Sequence, residues 1–326
     1  MLGDSLSLKL TITLIIIMII IIGAFIAGLL IISQKTQEEH FSDSENQGQS
    51  SPQQPSVTEP VIRTYLYIID GHWTRDSSSD LPLYICNAGY SVENIGNGDA
   101  ENVGITIKIN EATYLEQTIL TLTSLSKYAD SFNISINYDE TKTVSLYAAC
   151  SKSSDSATIT VDTMLPRYFS SDLCKLFITP REANVVSIKN QIISNKFPLT
   201  PNWIALRDWV ANTITYKNDS DVHGVKEYWQ LPKETLQLRT GDCEDYAILL
   251  VSLLRADGWS SNDIYVVIGE DAQGNGHAWV KINLGILGWQ YLEPQVNGWC
   301  TLVLDYFITF GYKEEYMFND IFYKTG

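Results

Sequence analysis

The sequence predicts an α+β domain at the C-terminal end, a separate all-β sandwich before it, and a single N-terminal transmembrane helix. Three observations carry that expectation. Residues 11–32, "TITLIIIMIIIIGAFIAGLLII", are aliphatic and uncharged. From about 62 to 165, apolar and polar residues alternate with period two. From about 170 the spacing turns helical, and three strand-like runs then follow.

Residues 1–10 make a short tail, and 11–32 are long enough to act as an anchor. At 1.5 Å per residue, about twenty apolar residues cross a hydrocarbon core of roughly 30 Å. A secretory signal would have a shorter apolar region and a small-residue cleavage site, whereas this run continues past Ala24 to Ile32. Lys9 and Lys35 flank the run evenly and leave its orientation open. The cysteines, together with Asn133 in "NIS" and Asn218 in "NDS" as candidate glycosylation sites, favour an extracytoplasmic body. Residues 33–61 are rich in Ser, Gln, Glu and Pro. They bury too little to offset ordering entropy and read as a flexible stalk.

The segment 62–165 reads as the sandwich. "NVGITIKI" puts Val103, Ile105, Ile107 and Ile109 on one face, "FNISI" does so for Phe132, Ile134 and Ile136, and "VSLYAAC" for Val144, Leu146, Ala148 and Cys150. Short alternating strands separated by turn residues over about a hundred positions argue for an immunoglobulin-type sandwich. "VENIGNGDAENVGITIKI" resembles adhesion modules of that class, with an Asn- and Gly-containing turn between strands. Cys86 and Cys150 are either a disulfide or two small core residues.

In 170–326, "ANVVSIKNQIISNKF" and "PNWIALRDWVANTITY" have helical spacing, while "DIYVVIG", "HAWVKIN" and "GWQYLEP" read as strands. Helices followed by an antiparallel meander make an α+β domain. Between them, "GDCEDYAILLVSLLRADG" starts a helix at Cys243, capped by Asp242 and closed at Gly258. The run "YAILLVSLL" is apolar all round, so this helix is buried. A thiol at its amino end meets unpaired N–H groups and the positive end of the helix dipole, which favour a thiolate and can receive an oxyanion. Glu244 and Asp245 oppose the thiolate and fit the dipole as helix-start acids. His277 opens one strand and Glu293 ends the next. If those strands pair through "LGILG", imidazole and carboxylate meet above the helix start in the order of a Cys-His-acid triad.

"WQLPKETLQLRTGDCEDYAILLVSLLRADG", "GHAWVKI" and "WQYLEP", in that order over about 190–300, resemble the core of the transglutaminase-like superfamily, a papain-related group of cysteine enzymes. The resemblance implies Cys243 as acyl-accepting nucleophile, His277 as base and Glu293 as orienting acid, a position more often held by Asp. It also implies an upstream group that assists the oxyanion, with Gln230 or Trp229 as candidates. No cofactor and no metal are expected, since Cys243 and His277 lack a close-spaced ligand pair. Cys86 with Cys150 and Cys174 with Cys300 would leave Cys243 free, although four cysteines allow three connectivities.

With 22 basic and 38 acidic residues, the net charge of −16 excludes nucleic acid as a partner. The expected function is that of a membrane-anchored, extracytoplasmic enzyme acting on the amide bonds of a protein or peptide, with hydrolysis ahead of transamidation. The rival expectation is a non-catalytic cell-surface binding protein with a degenerate enzyme fold.

Overall fold

In this computed structural model the described residues are 58–168, 171–296 and 302–325. Seven antiparallel strands build the sandwich: β1 (Ile62–Arg75), β2 (Pro82–Asn94), β3 (Ala100–Ile109), β4 (Ala112–Leu122), β5 (Lys127–Asn137), β6 (Thr141–Ala149) and β7 (Ser154–Asp162). They form sheets of order β1-β2-β5 and β4-β3-β6-β7. The period-two pattern decides which side chains enter. Val103, Ile105, Ile107, Ile134, Ile136, Val144, Leu146 and Ala148 are buried against Cys86, Ala88, Tyr90 and Val92 of β2. The β2–β3 turn is tied by Asn94, which is fully buried. Its Oδ1 accepts the Val61 and Gly96 N–H groups, both at 3.1 Å, and its Nδ2 donates to the Gly98 and Leu122 carbonyls. Gly96 is required there, because a Cβ would stand 2.3 Å from the Glu59 carbonyl oxygen.

The α+β part contains α1 (Ala183–Asn195), α2 (Asn202–Thr213), β8 (Thr215–Tyr216), α3 (Asp219–Val222), α4 (Pro232–Leu238), β9 (Thr240–Gly241) and α5 (Cys243–Ala256). Then come β10 (Ile264–Glu270), β11 (Gly276–Asn283), β12 (Trp289–Leu292), α6 (Leu302–Thr309), β13 (Lys313–Phe318) and β14 (Tyr323–Thr325). The five-stranded sheet runs β12-β11-β10-β13-β14. One face of it, including Val266, Ala278, Val280, Ile282, Leu292 and Phe318, packs with α5. Every residue of α5 from Glu244 to Leu254 is buried, as an all-round apolar helix requires. Gly258 ends the helix at φ 98°, a left-handed conformation that favours glycine.

Residues 58–326 form one compact unit. Leu165, from the connecting segment, belongs to the α+β core, and Trp73, Leu81 and Tyr138 of the sandwich pack against it.

Two expectations are corrected. The fold class included a transmembrane helix, but among the described residues no helix is long and apolar enough to cross a membrane. The span expected at 11–32 and the stalk up to residue 57 lie outside the described residues. The Cys86–Cys150 disulfide is also absent, and both are free thiols. Cys150 follows β6 at the end of the sandwich where Ser153 Oγ accepts the Ile62 N–H, and Ile62 pairs with Asn94. Cys86 lies eight residues back along β2, roughly 27 Å at strand rise, far beyond disulfide reach. Cys174 is a free, buried thiol, and its expected partner Cys300 is outside the described residues.

Candidate active site

Cys243, His277 and Trp229 line one cleft of about 450 Å³, together with Tyr168, Tyr216, Asp219, Asp242 and Glu244. Three features of the fold bring them together. Cys243 is the first residue of α5, where Asp245 reaches back to accept the Asp242 N–H at 3.3 Å. His277 stands near the start of β11, opposite Gly269 of β10. The β11–β12 register, Val280 opposite Leu292, carries Glu293 to the strand end beside His277. His277 Nε2 lies 2.8 Å from Glu293 Oε2. With the carboxylate accepting the Nε2–H, the Nδ1 lone pair is left for the cleft.

Glu293 is buried and fixed from both sides. Its Oε1 accepts the Gln295 N–H, and its Oε2 also accepts the Tyr312 hydroxyl at 3.2 Å. The Tyr312 ring stands edge-on to both His277 and Trp279. Sequence reasoning missed Tyr312, because it arrives from the loop before β13, beyond any of the three motif segments. Trp279 is fully buried and serves packing.

The thiol is not poised as the helix dipole alone would have it. Burial raises the Cys243 pKa well above its ordinary value, and the charges of Glu244 and Asp242 add to the effect. The Sγ donates to Glu244 Oε2 at 3.3 Å, while the Ala278 backbone N–H acts the other way and favours thiolate. The acids flanking Cys243 are therefore more than helix caps. Glu244 is itself raised by burial and by Asp245 and Asp242. Asp219, which sequence reasoning passed over, is raised to about 7 by burial and by Asp242.

Carboxylate oxygens of Asp219, Asp242 and Asp245, and of Asp219, Glu227 and Glu244, lie within 4.8 Å of one another. Asp242 Oδ1 and Glu244 Oε1 are buried without a hydrogen-bond partner. An all-oxygen set with orphaned buried atoms fits a hard divalent cation such as Ca²⁺ and does not suit zinc, which prefers Cys and His.

Of the two oxyanion candidates, Trp229 lines the cleft, stacked on Phe318 with ring centroids 5.6 Å apart. Gln230 is fully buried, its side-chain amide has no partner, and it is not among the cleft-lining residues. Asn133 and Asn218 are both exposed, Asn218 at the cleft rim. His223 stacks on Tyr228, with ring centroids 3.9 Å apart.

A buried helix thus carries a thiol at its start, beside a sheet that presents a paired imidazole and carboxylate. Residues 179–306 match the family described as bacterial transglutaminase-like cysteine proteinase, a likeness to the transglutaminase-like superfamily over that segment. Among solved structures, EGTA-treated LapG of Legionella pneumophila is similar at 18% identity, covering 44% of this chain and 73% of that one, with a TM-score of 0.34. Its calcium-bound form is similar at 19% identity, covering 44% of this chain and 75% of that one, with a TM-score of 0.33. The CARDB domain of a Pyrococcus furiosus protein is similar at 14% identity over 33% of this chain and 96% of that one, with a TM-score of 0.26. Comparison with curated proteins finds no match.

Proposed function

We propose that the chain cleaves amide bonds of a protein or peptide substrate through a thioester on Cys243. The single observation that carries this reading is the 2.8 Å His277–Glu293 bond in the wall of the cleft that holds Cys243. Glu293 holds the Nε2–H and leaves Nδ1 as the base. His277 takes the thiol proton, and Sγ attacks the substrate carbonyl carbon. The oxyanion develops toward the N–H groups at the start of α5, with Trp229 walling the cleft. Imidazolium then protonates the departing amine. Water attacks the thioester, giving up a proton to His277, and the restored thiol leaves. The family description as a proteinase supports water as acceptor in preference to a second amine.

The resting thiol is held protonated by burial and by Glu244 and Asp242. A divalent cation held by Asp219 with Asp242 and Asp245, or by Asp219 with Glu227 and Glu244, would supply positive charge that offsets those carboxylates.

The test is hydrolysis by the full chain of a peptide library, with ammonia release and amine incorporation measured in parallel. New peptide termini that vanish in Cys243→Ala support the reading. Cleavage that survives in Cys243→Ala contradicts it, and amine incorporation without new termini would overturn hydrolysis.

A further inference from the structure

The sandwich reaches the cleft wall through one arginine. In the β5–β6 turn, Asp139 adopts φ 53° and its Oδ1 accepts the Leu165 N–H at 2.9 Å. Its Oδ2 is bonded by the Arg167 guanidinium. The same guanidinium forks onto Glu234 at the start of α4, at 2.8 and 3.1 Å. It also lies over the Tyr228 ring, 4.5 Å from the centroid. Two bonds to Trp229 complete the strap: the Arg167 backbone carbonyl accepts the Trp229 N–H at 2.7 Å, and the guanidinium Nη1 donates to the Trp229 carbonyl at 3.5 Å. The next residue, Tyr168, lines the cleft and meets the Trp229 indole edge-on.

We infer that Arg167, anchored by Asp139 of the sandwich, is a positioning residue that sets Trp229 in the wall facing Cys243. The sandwich is thus part of the enzyme rather than a spacer. This rests on the proposed cysteine-peptidase reading for its kinetic consequence. The geometry favours positioning over simple domain tethering, because tethering is also provided elsewhere. Asp80 of the sandwich accepts from the Arg181 side chain at 2.9 and 2.6 Å. Arg181 and Arg255 line a separate cavity, and Arg255 is twelve residues along α5 from Cys243, roughly 18 Å at helical rise. A bidentate arginine carries planar, directional information that a tether does not need.

The test compares full-length Asp139→Asn and Arg167→Met with Arg181→Met, which removes only the side-chain bonds of the remote tie. In the first two, kcat falls by roughly tenfold or more, because a wall residue is displaced by a fraction of an ångström. KM stays within twofold. Hydrogen exchange of the Trp229 amide, read on the peptide spanning 228–231, becomes faster. In Arg181→Met neither kcat nor that exchange changes. Unchanged kcat in Asp139→Asn and Arg167→Met would overturn the inference, as would an equal loss in Arg181→Met. If the parent chain has no Cys243-dependent hydrolysis, the functional reading is what fails. Exchange at 228–231 then decides the strap alone: unchanged exchange in Asp139→Asn and Arg167→Met refutes it.

Discussion

Cys243 stands where a helix dipole favours a thiolate, yet burial, Glu244 and Asp242 keep its proton on. The sequence displays both influences side by side, but their balance depends on burial, which a local motif does not encode. Cys243, His277 and Glu293 were legible because each lies at the end of an element with a clear period. Tyr312, Asp219 and Arg167 were not, because their segments have no period and their roles arise only from long-range folding. Glu293→Gln keeps the shape but can present an amide donor to the imidazole, and kcat is expected to fall by about a hundredfold or more. Tyr312→Phe removes one of two bonds to the same Glu293 oxygen. It should lower kcat several-fold, with KM and the thermal midpoint nearly unchanged, as steady-state kinetics and calorimetry would register.

At the scale of the element, α5 is the pedestal, and its burial and end caps follow from sequence. The strands β10, β11 and β12 were expected, and they pair as the meander that brings His277 to Glu293. Helix α6 and strands β13 and β14 were not expected, since short elements carry little periodicity of their own. Yet β13 shapes the site from behind. A Cβ on Gly269, the residue opposite His277, would stand 2.0 Å from the Lys313 carbonyl oxygen. Gly269→Ala should therefore cost about 1–3 kcal/mol in denaturant unfolding. Leu250→Ala, at a fully buried position in the middle of α5, should cost about 2–5 kcal/mol.

For the whole molecule, the acid cluster couples the site to stability. The Asp219 carboxyl titrates at about 7 in the folded chain, against roughly 3.9 unfolded. Between those values the folded state keeps a proton that the unfolded state has lost, so stability falls as pH rises from about 4 to 7. The thermal midpoint should drop across that window, and drop less in Asp219→Asn. Calcium should raise the midpoint at pH 7.5 in the parent and do so much less in Asp219→Asn. Equal slopes and equal calcium shifts in both proteins would contradict the role given to Asp219. Activation of Cys243 by His277 is tested by mapping iodoacetamide adducts on the native full chain, with and without calcium. Selective alkylation of Cys243, fastest with calcium and lost in His277→Ala, is the expected result. Labelling of Cys243 no faster than in the unfolded chain under both conditions would contradict it.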